Sequence, residues 1–282
     1  MILIADGGAT NVEWCAIDNG KVVSRVFTAG MNAMMLSKEE MAETIGRELM
    51  PLLNGLHIDE IYYYGAGCLF DNICSNMREA LHRNIPEASK IVVETDMLAA
   101  ARAACGDAPG IVCIMGTGSN SCYYDGERIT DNVPSLGYIL GDEGSGAVLG
   151  KLLVGDLLKR QMPKHLVDKF MEQYNLTPQI ILENVYRKPG ANSFLASLSP
   201  FLAENIEEPS VHRLVLNAFK SFFVRNVENY DNYKELSVNF VGSIAVNYRE
   251  VLEEAAKALY INIGKIIKSP MDGLVEYYSG NK

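Results

Sequence analysis

The sequence lacks three features that would each indicate a particular class of protein. No apolar run approaches the ~20 residues that a membrane-spanning helix needs, so we expect no membrane partner. The 25 Lys and Arg residues are outnumbered by 35 Asp and Glu residues, and the net charge is −10. A general nucleic-acid binder would need a basic face, so we expect no nucleic-acid partner. Asp6 interrupts the first apolar segment too early for a signal peptide, which predicts a cytoplasmic protein.

Cysteine and histidine are few and scattered. The six cysteines include no C-x-x-C pair, and the four histidines have no metal ligand at short helical spacing. Several cysteines lie in strand-like runs, which is typical of reduced core residues. The pattern therefore argues against a metal held by His or Cys.

What is present is a repeated module in a chain of ordinary globular composition. The 282 residues are 48% hydrophobic and 21% charged, enough for two domains. "ILIADGGATNVEWCAIDNGKVV" and, about 110 residues later, "IVCIMGTGSNSCYYDGERI" both read as strand, Gly-rich turn, strand and hairpin. Alternating strands and helices follow each copy. We predict an α/β protein with related domains at 1–107 and 108–282, the second with a helical insertion, and a cleft between them.

The two glycine-rich turns are candidates for binding phosphate. Glycine lets the backbone approach a ligand closely, and amide and hydroxyl groups donate hydrogen bonds to it. Either turn alone is more typical of a plain hairpin, but the pair favours a phosphate site. The candidate residues are Gly7, Gly8, Thr10, Gly116, Thr117 and Gly118.

Four acids carry the remaining chemical signal. Asp6 ends an apolar strand, where a carboxylate either meets a cation such as Mg²⁺ or bonds its own turn. Asp96 follows "IVVET" and begins a helix, so it is a helix cap, a general base, or both. Asp142 and Glu143 lie between glycines in "LGYILGDEGSG". A helix start explains the acids only in part, and we expect them to bind a polyol.

Five motifs together carry a family resemblance: "DGGATN", "ETDMLAAARAA", "IMGTGSN", "GDEGSG" and "VGSIA". In this order they resemble the N-acetylglucosamine kinase branch of the sugar kinase/Hsp70/actin superfamily, often grouped with BadF/BadG/BcrA/BcrD-type ATPases. The resemblance spans nearly the whole chain. It implies two RNase H-like (actin-like ATPase) domains, each a mixed sheet flanked by helices, that close over ATP, Mg²⁺ and a sugar. It implies phosphate transfer from ATP to the 6-hydroxyl of an amino sugar, N-acetylglucosamine or a relative, and it is compatible with a homodimer.

The resemblance also implies roles for single residues. Asp96 would be the catalytic base that activates the 6-hydroxyl, and Asp6 would organise Mg²⁺. The two glycine-rich turns would be the phosphate loops. The implied amino-sugar contacts are Asn32, Asn120, Gly137, Asp142 and Glu143, and the implied adenosine-side turn is Gly242 and Ser243. Two other functions stay open: an ATPase that activates an electron-transfer enzyme, and a sugar- or nucleotide-binding protein without turnover.

Overall fold

The computed structural model describes residues 1–8 and 11–280. The chain divides into two compact units, one formed by Met1–Ala108 with Ser269–Lys282 and the other by Pro109–Lys268. The predicted domains of 1–107 and 108–282 therefore need a correction, because the C-terminal segment belongs to the first unit. The sequence pattern could not reveal this return, since a helix at the end of a chain shows its apolar face but not the sheet that it covers.

The first unit is built on a five-stranded mixed sheet with strand order β3-β2-β1-β4-β5. Its strands are β1 (Ile2–Gly7), β2 (Asn11–Asp18), β3 (Lys21–Ala29), β4 (Glu60–Gly65) and β5 (Lys90–Thr95). The first three form an antiparallel meander, and β4 and β5 add to β1 in parallel. The carboxyl ends of β1, β4 and β5 therefore lie at one edge of this sheet.

Helices flank the first sheet. They are α1 (Lys38–Thr44), a π turn (Ile45–Leu49), α2 (Met50–Leu53), α3 (Asp71–Asn84), α4 (Asp96–Cys105) and, from the end of the chain, α14 (Met271–Gly280). Ser37 and Glu40 form the capping box that begins α1. Helix α14 packs against α4, β1 and β2, and Gly273 lies so close to Ala103 that a methyl group would meet its Cα at 2.7 Å. This close packing is what joins the end of the chain to the first unit.

The second unit repeats the same sheet topology, with order β10-β9-β6-β7-β8. Its strands are β6 (Gly110–Met115), β7 (Ser119–Tyr124), β8 (Ile129–Asp131), β9 (Val238–Val241) and β10 (Ile263–Ile267). Strands β6, β7 and β8 form the antiparallel meander, and β9 and β10 add in parallel to β6. The internal repeat seen in the sequence is thus a repeat of topology, which confirms the prediction of two mixed sheets flanked by helices.

The second unit carries more helices than the first. They are α5 (Gly137–Leu140), α6 (Gly146–Leu158), α7 (Lys164–Gln173), α8 (Pro178–Tyr186), α9 (Ala191–Ser197), α10 (Pro200–Glu204), α11 (Pro209–Arg225), a 3-10 turn (Val227–Asn229), α12 (Ser243–Asn247) and α13 (Arg249–Ala258). The segment from α6 to α11 is inserted between β8 and β9, and prolines begin α8, α10 and α11. Among residues 1–8 and 11–280, no helix has both the length and the apolar character needed to cross a bilayer.

Candidate active site

Asp6 and Asp96 lie at the same edge of the first sheet. Gly7 of β1 pairs with Gly65 of β4, which pairs with Thr95 of β5, and Asp96 follows at the start of α4. The two carboxylates therefore flank the end of β4. Both side chains are partly buried. Burial is the main cause that raises the pKa of Asp6 to about 7, and the charges of Glu13 and Asp96 add to it.

Glu13 stands directly opposite Asp6 across the β1–β2 pair, and the sequence analysis did not single it out. Two facing carboxylates on neighbouring strands repel each other. Arg25 of β3 forms an ion pair with Glu13 and also with Asp272 of α14, at 2.9 Å. Arg25 thus offsets part of the Glu13 charge from the side away from Asp6. The signal in the sequence was a single acid inside the otherwise apolar strand "VEWCAI".

Asp96 combines a helix start with a buried carboxylate. Thr95, rather than Asp96, is the N-cap of α4, because its hydroxyl accepts a bond from the Leu98 amide at 3.2 Å. Oδ1 of Asp96 accepts a bond from the amide of Met97 at 2.9 Å. Burial raises the pKa of Asp96, while bonds from backbone amides oppose the rise. The carboxylate is therefore not needed to cap the helix.

The first glycine turn uses one of its backbone amides within the protein. The amide of Gly8 donates to the carbonyl of Asn11 at 2.9 Å and so closes the β1–β2 turn. Gly7 is needed because a methyl group there would lie 2.8 Å from Cζ of Tyr63, a buried core residue. Of the three residues predicted to form this loop, Thr10 lies outside the described residues. Gly7 thus has a local structural reason to be glycine.

Asn32 lies beside the loop that follows β4. Its Oδ1 accepts a bond from the amide of Met34 at 3.0 Å and lies against Gly67, where a side chain would clash. The amide of Ala33 donates to the carbonyl of Ala66 at 3.3 Å, in the loop that follows β4. Asn32 is therefore joined to the loop at the same sheet edge as Asp6.

The second glycine turn is bound to the start of helix α6. The amides of Gly146 and Ala147 donate to the carbonyls of Gly116 and Thr117 at 2.8 and 3.0 Å. The amide of Gly116 donates to the carbonyl of Gly118 at 3.0 Å. These amides are therefore used inside the protein. Thr117 is exposed, and the space beside the Cα of Gly116 is open.

Asp142 lies against this same turn, although the sequence analysis placed the two in separate subsites. Its Oδ2 would be 3.0 Å from a methyl group on Gly118, and the amide of Ser119 donates to its carboxylate. Asp142 has φ +52°, a left-handed backbone that Asp, Asn and Gly tolerate best. Burial is the main cause that raises the pKa of Asp142. A partly buried carboxylate thus stands beside a turn whose surface is open.

Glu143 faces away from that turn, toward helix α11. Its Oε1 forms an ion pair with Nε of Arg225 at 2.5 Å, and its Oε2 accepts a bond from Nδ2 of Asn226 at 3.4 Å. The hydroxyl of Ser119 donates to the Glu143 carbonyl at 2.8 Å. The sequence analysis missed Arg225, Asn226 and Ser119, because nothing in the chain order indicates that α11 ends beside residue 143.

Asn120 and Gly137, the other predicted sugar contacts of the second unit, lie in different settings. Oδ1 of Asn120 accepts bonds from the Ser121 amide at 2.9 Å and from Nδ2 of Asn132 at 3.1 Å. Gly137 begins α5, has φ +71° and is exposed. Asn120 thus already uses its carbonyl oxygen within the protein.

Gly242 lies at the same sheet edge as the second glycine turn. It follows β9, whose neighbour β6 runs directly into Gly116. Its φ of +135° and the 2.6 Å that would separate a methyl group from the Met115 carbonyl carbon both require glycine. Ser243 begins α12 and is exposed. This edge of the second sheet therefore brings together five predicted site residues: Gly116, Thr117, Gly118, Asp142 and Gly242.

The donor set around Asp6 fits a hydrated divalent cation. The charges of Glu13 and Asp96 both disfavour the ionised form of Asp6. A bound proton or a cation would offset this repulsion. Carboxylate oxygen is the ligand that Mg²⁺ prefers, with water completing the shell. Among the described residues there is no group of three or more His, Cys, Asp or Glu side chains arranged to enclose a metal ion. Any such cation would therefore keep several waters or phosphate oxygens.

The chain is similar to several proteins of known structure. Known protein families and curated proteins gave no match. Among solved structures, a candidate N-acetylglucosamine kinase from Porphyromonas gingivalis is 47% identical with a TM-score of 0.96, over 100% of this chain and 99% of its own. A candidate N-acetylglucosamine kinase from Chromobacterium violaceum is 18% identical with a TM-score of 0.78, over 98% of both chains.

A third solved structure shares the fold alone. A ROK family glucokinase from Streptomyces griseus, in complex with glucose and AMPPNP, is 13% identical with a TM-score of 0.56, over 98% of this chain and 97% of its own. The two mixed sheets of this protein are thus those of the actin-like ATPase fold. Because the Porphyromonas gingivalis protein matches over the full length at 47% identity, the chain belongs to the N-acetylglucosamine kinase-like branch of the sugar kinase/Hsp70/actin superfamily.

Proposed function

We propose that this protein is an ATP-dependent kinase that phosphorylates the 6-hydroxyl of an amino sugar, N-acetylglucosamine or a close relative. The observation that carries the proposal is the pair Asp6 and Asp96 at one edge of the first sheet. The sugar class is supported by the 47% identity with a candidate N-acetylglucosamine kinase. Phosphoryl transfer needs mainly positioning and charge neutralisation, and these two carboxylates are suited to both.

Asp96 is the proposed general base. A base works best when its pKa lies nearer the working pH than that of a free carboxylate, and burial raises the pKa of Asp96 in that direction. Thr95 caps α4, so the helix keeps its start whatever the charge on Asp96. In this role the Asp96 carboxylate accepts the proton of the sugar hydroxyl as that oxygen attacks the γ-phosphorus and the bond to the β-phosphate oxygen breaks.

Asp6 is the proposed anchor for Mg²⁺. When bound, Mg²⁺ neutralises charge on the triphosphate oxygens during transfer. Asp6, with its pKa raised to about 7, is half protonated at neutral pH in the free protein and would release that proton on meeting the cation. Glu13 supports the negative field there while its own ion pair with Arg25 holds it in place.

The second unit would supply further ligand groups. Gly116 has open space beside its Cα and Thr117 is exposed, so a phosphate could approach both closely. Asp142 offers a carboxylate that can accept bonds from sugar hydroxyls. Gly242 and Ser243 are assigned to the adenosine side, where Ser243 is exposed at the start of α12. These assignments are part of the proposal.

A coupled assay of ADP release tests the proposal directly. The panel is N-acetylglucosamine, N-acetylmannosamine, glucosamine and glucose, each with ATP and Mg²⁺. Phosphorus–carbon coupling in the NMR spectrum of the product identifies the phosphorylated position. We expect N-acetylglucosamine or N-acetylmannosamine to give the largest kcat/KM and a 6-phosphate. ADP release that no sugar stimulates would contradict the proposal and favour an ATPase instead.

A single-turnover experiment separates a kinase from a binding protein. Excess protein is mixed with limiting labelled ATP and the preferred sugar, and the sugar phosphate is separated after quenching. A kinase converts the label to sugar phosphate. Sugar and nucleotide binding by calorimetry without any labelled product would instead identify a non-catalytic binding protein.

A further inference from the structure

The carboxylate of Glu143 is directed toward the end of helix α11. Nε of Arg225 is 2.5 Å from one oxygen, and Nδ2 of Asn226 is 3.4 Å from the other. The Glu143 side chain is 16% exposed, and that of Arg225 is 57% exposed. Asn226 is buried, and its Nδ2 also donates to the carbonyl of Phe222 at 3.2 Å. Both oxygens of Glu143 thus already have protein partners.

The main chain around Glu143 is held at the same time. The Ser119 hydroxyl donates to the Glu143 carbonyl at 2.8 Å, and the Ser119 amide donates to the Asp142 carboxylate. Gly144, with φ +70°, packs so closely that a methyl group would lie 3.1 Å from Phe219 of α11. Residues 142–144 therefore connect the second glycine turn with α11.

We propose that Arg225 and Asn226 are positioning residues that act through Glu143 to hold Asp142 where the sugar binds. Glu143 then serves as the link and makes no bond to the sugar itself. This inference rests on the proposed function and refines it, since the sequence resemblance implied that Asp142 and Glu143 both contact the sugar. A charged pair suits this task because a carboxylate that already bonds a guanidinium has a fixed orientation.

Steady-state kinetics test the role of Arg225. We expect Arg225→Gln to raise the KM for the sugar about tenfold while kcat and the KM for ATP change less than about threefold. Arg213, exposed on the same helix, provides the matched control, and Arg213→Gln should leave all three constants unchanged. Arg225→Lys keeps the charge without the planar guanidinium and should give an intermediate sugar KM. An Arg225→Gln enzyme with unaltered sugar KM would overturn the proposal.

A double-mutant cycle tests whether Glu143 acts as the link. If Glu143 works only through α11, Glu143→Gln combined with Arg225→Gln should raise the sugar KM no further than the larger single effect. If Glu143 bonds a sugar hydroxyl directly, the two effects should multiply. Glu143→Gln should also retain its effect with every monodeoxy sugar analogue that keeps the 6-hydroxyl, whereas loss of the effect with one such analogue would identify a direct bond and overturn the proposal.

Hydrogen exchange provides a readout that needs no activity. In the ligand-free protein, we expect the amides of Asp142 and Ser145 to exchange about tenfold faster in Arg225→Gln than in the wild type or Arg213→Gln. Unchanged exchange would overturn the positioning role. An inactive wild type with faster exchange in Arg225→Gln would contradict the proposed function and leave the coupling of α11 to residues 142–145 established.

Discussion

Asp6 at the end of β1 and Asp96 at the start of α4 flank the end of β4, and the charge of Asp96 helps to raise the pKa of Asp6 to about 7. Two partly buried carboxylates at one sheet edge lower the stability of the folded protein, because burial and mutual repulsion both disfavour their charged forms. Such perturbed groups are typical of functional sites, where a bound cation or a transferred proton relieves the repulsion. The chemistry of the proposed kinase follows from this pair.

Replacing Asp96 tests the proposed base. We expect Asp96→Asn to lower kcat about 100- to 10,000-fold while the sugar KM changes less than about threefold, since the amide cannot accept the proton but keeps the shape. Asp71→Asn is the matched control, because Asp71 is likewise the first residue of a helix, α3, and is exposed. Equal kcat values for the two variants would show that Asp96 is not the base.

The stability of the ligand-free protein should depend on pH through Asp6. Its pKa is raised from 3.8 to about 7, so its contribution to stability is complete below about pH 4 and is lost as the pH rises through 7. Asp6→Asn removes this dependence. The free energy of unfolding of Asp6→Asn relative to wild type should therefore increase between about pH 4 and pH 7 and level off above pH 8, by about 4 kcal/mol in total.

Urea unfolding at several pH values, without Mg²⁺ or nucleotide, measures this difference. Asp18→Asn, at the other end of β2, is the control, and its profile should run parallel to that of the wild type. A profile for Asp6→Asn that also runs parallel to the wild type would contradict the assignment of this pH dependence to Asp6.

Two glycines of the predicted phosphate loops should respond differently to alanine. Gly7→Ala places a methyl group against the buried Tyr63 ring and should lower the free energy of unfolding by about 1–3 kcal/mol. Gly116→Ala meets open space and should change it by less than about 0.5 kcal/mol. If Gly116 lies beside a bound phosphate, the KM for ATP should nevertheless rise about tenfold in Gly116→Ala. Equal destabilisation by the two changes would contradict the packing described for Tyr63.

Two substitutions of Asp142 should distinguish its role in sugar binding from the strain of its left-handed backbone. Asp142→Asn keeps a residue that tolerates φ +52° and should leave the melting temperature nearly unchanged, while the sugar KM rises about tenfold or more. Asp142→Ala should add a loss of about 1 kcal/mol in stability, because alanine is strained in a left-handed conformation. Kinetic constants for sugar and ATP, with thermal unfolding of both variants, check this. A wild-type sugar KM in Asp142→Asn would remove Asp142 from the site.

Most of the fold could be predicted from local patterns. Alternating apolar residues, Asn-Gly and Asp-Gly hairpins and the capping box at Ser37 depend on neighbours in the chain, so the strands, turns and helix α1 are visible in the sequence. The repeated module indicated two similar sheets for the same reason. The place of α14 was missed because the partner of a terminal helix is a matter of long-range packing.

The site residues likewise divide into those that local sequence patterns reveal and those that depend on long-range packing. Asp6, Asp96 and Asp142 stood out because an acid among apolar or glycine neighbours is unusual. The sequence could not show that the amides of Gly8 and Gly146 are already hydrogen-bonded. Their partners, the carbonyls of Asn11 and Gly116, depend on how the turns close. A residue type can suggest a ligand, but only the hydrogen-bond partners decide whether its groups are already used.

The sequence by itself determined which residues carry charge, where the turns fall and to which family the motifs point, because these depend on composition and local order. Only the tertiary structure decided that Glu13 faces Asp6, that Asp142 stands against Gly118, and that Glu143 faces Arg225. Strand pairing and helix packing bring together residues that are distant in the chain. Burial among these neighbours, in turn, raises the pKa of Asp6 to about 7.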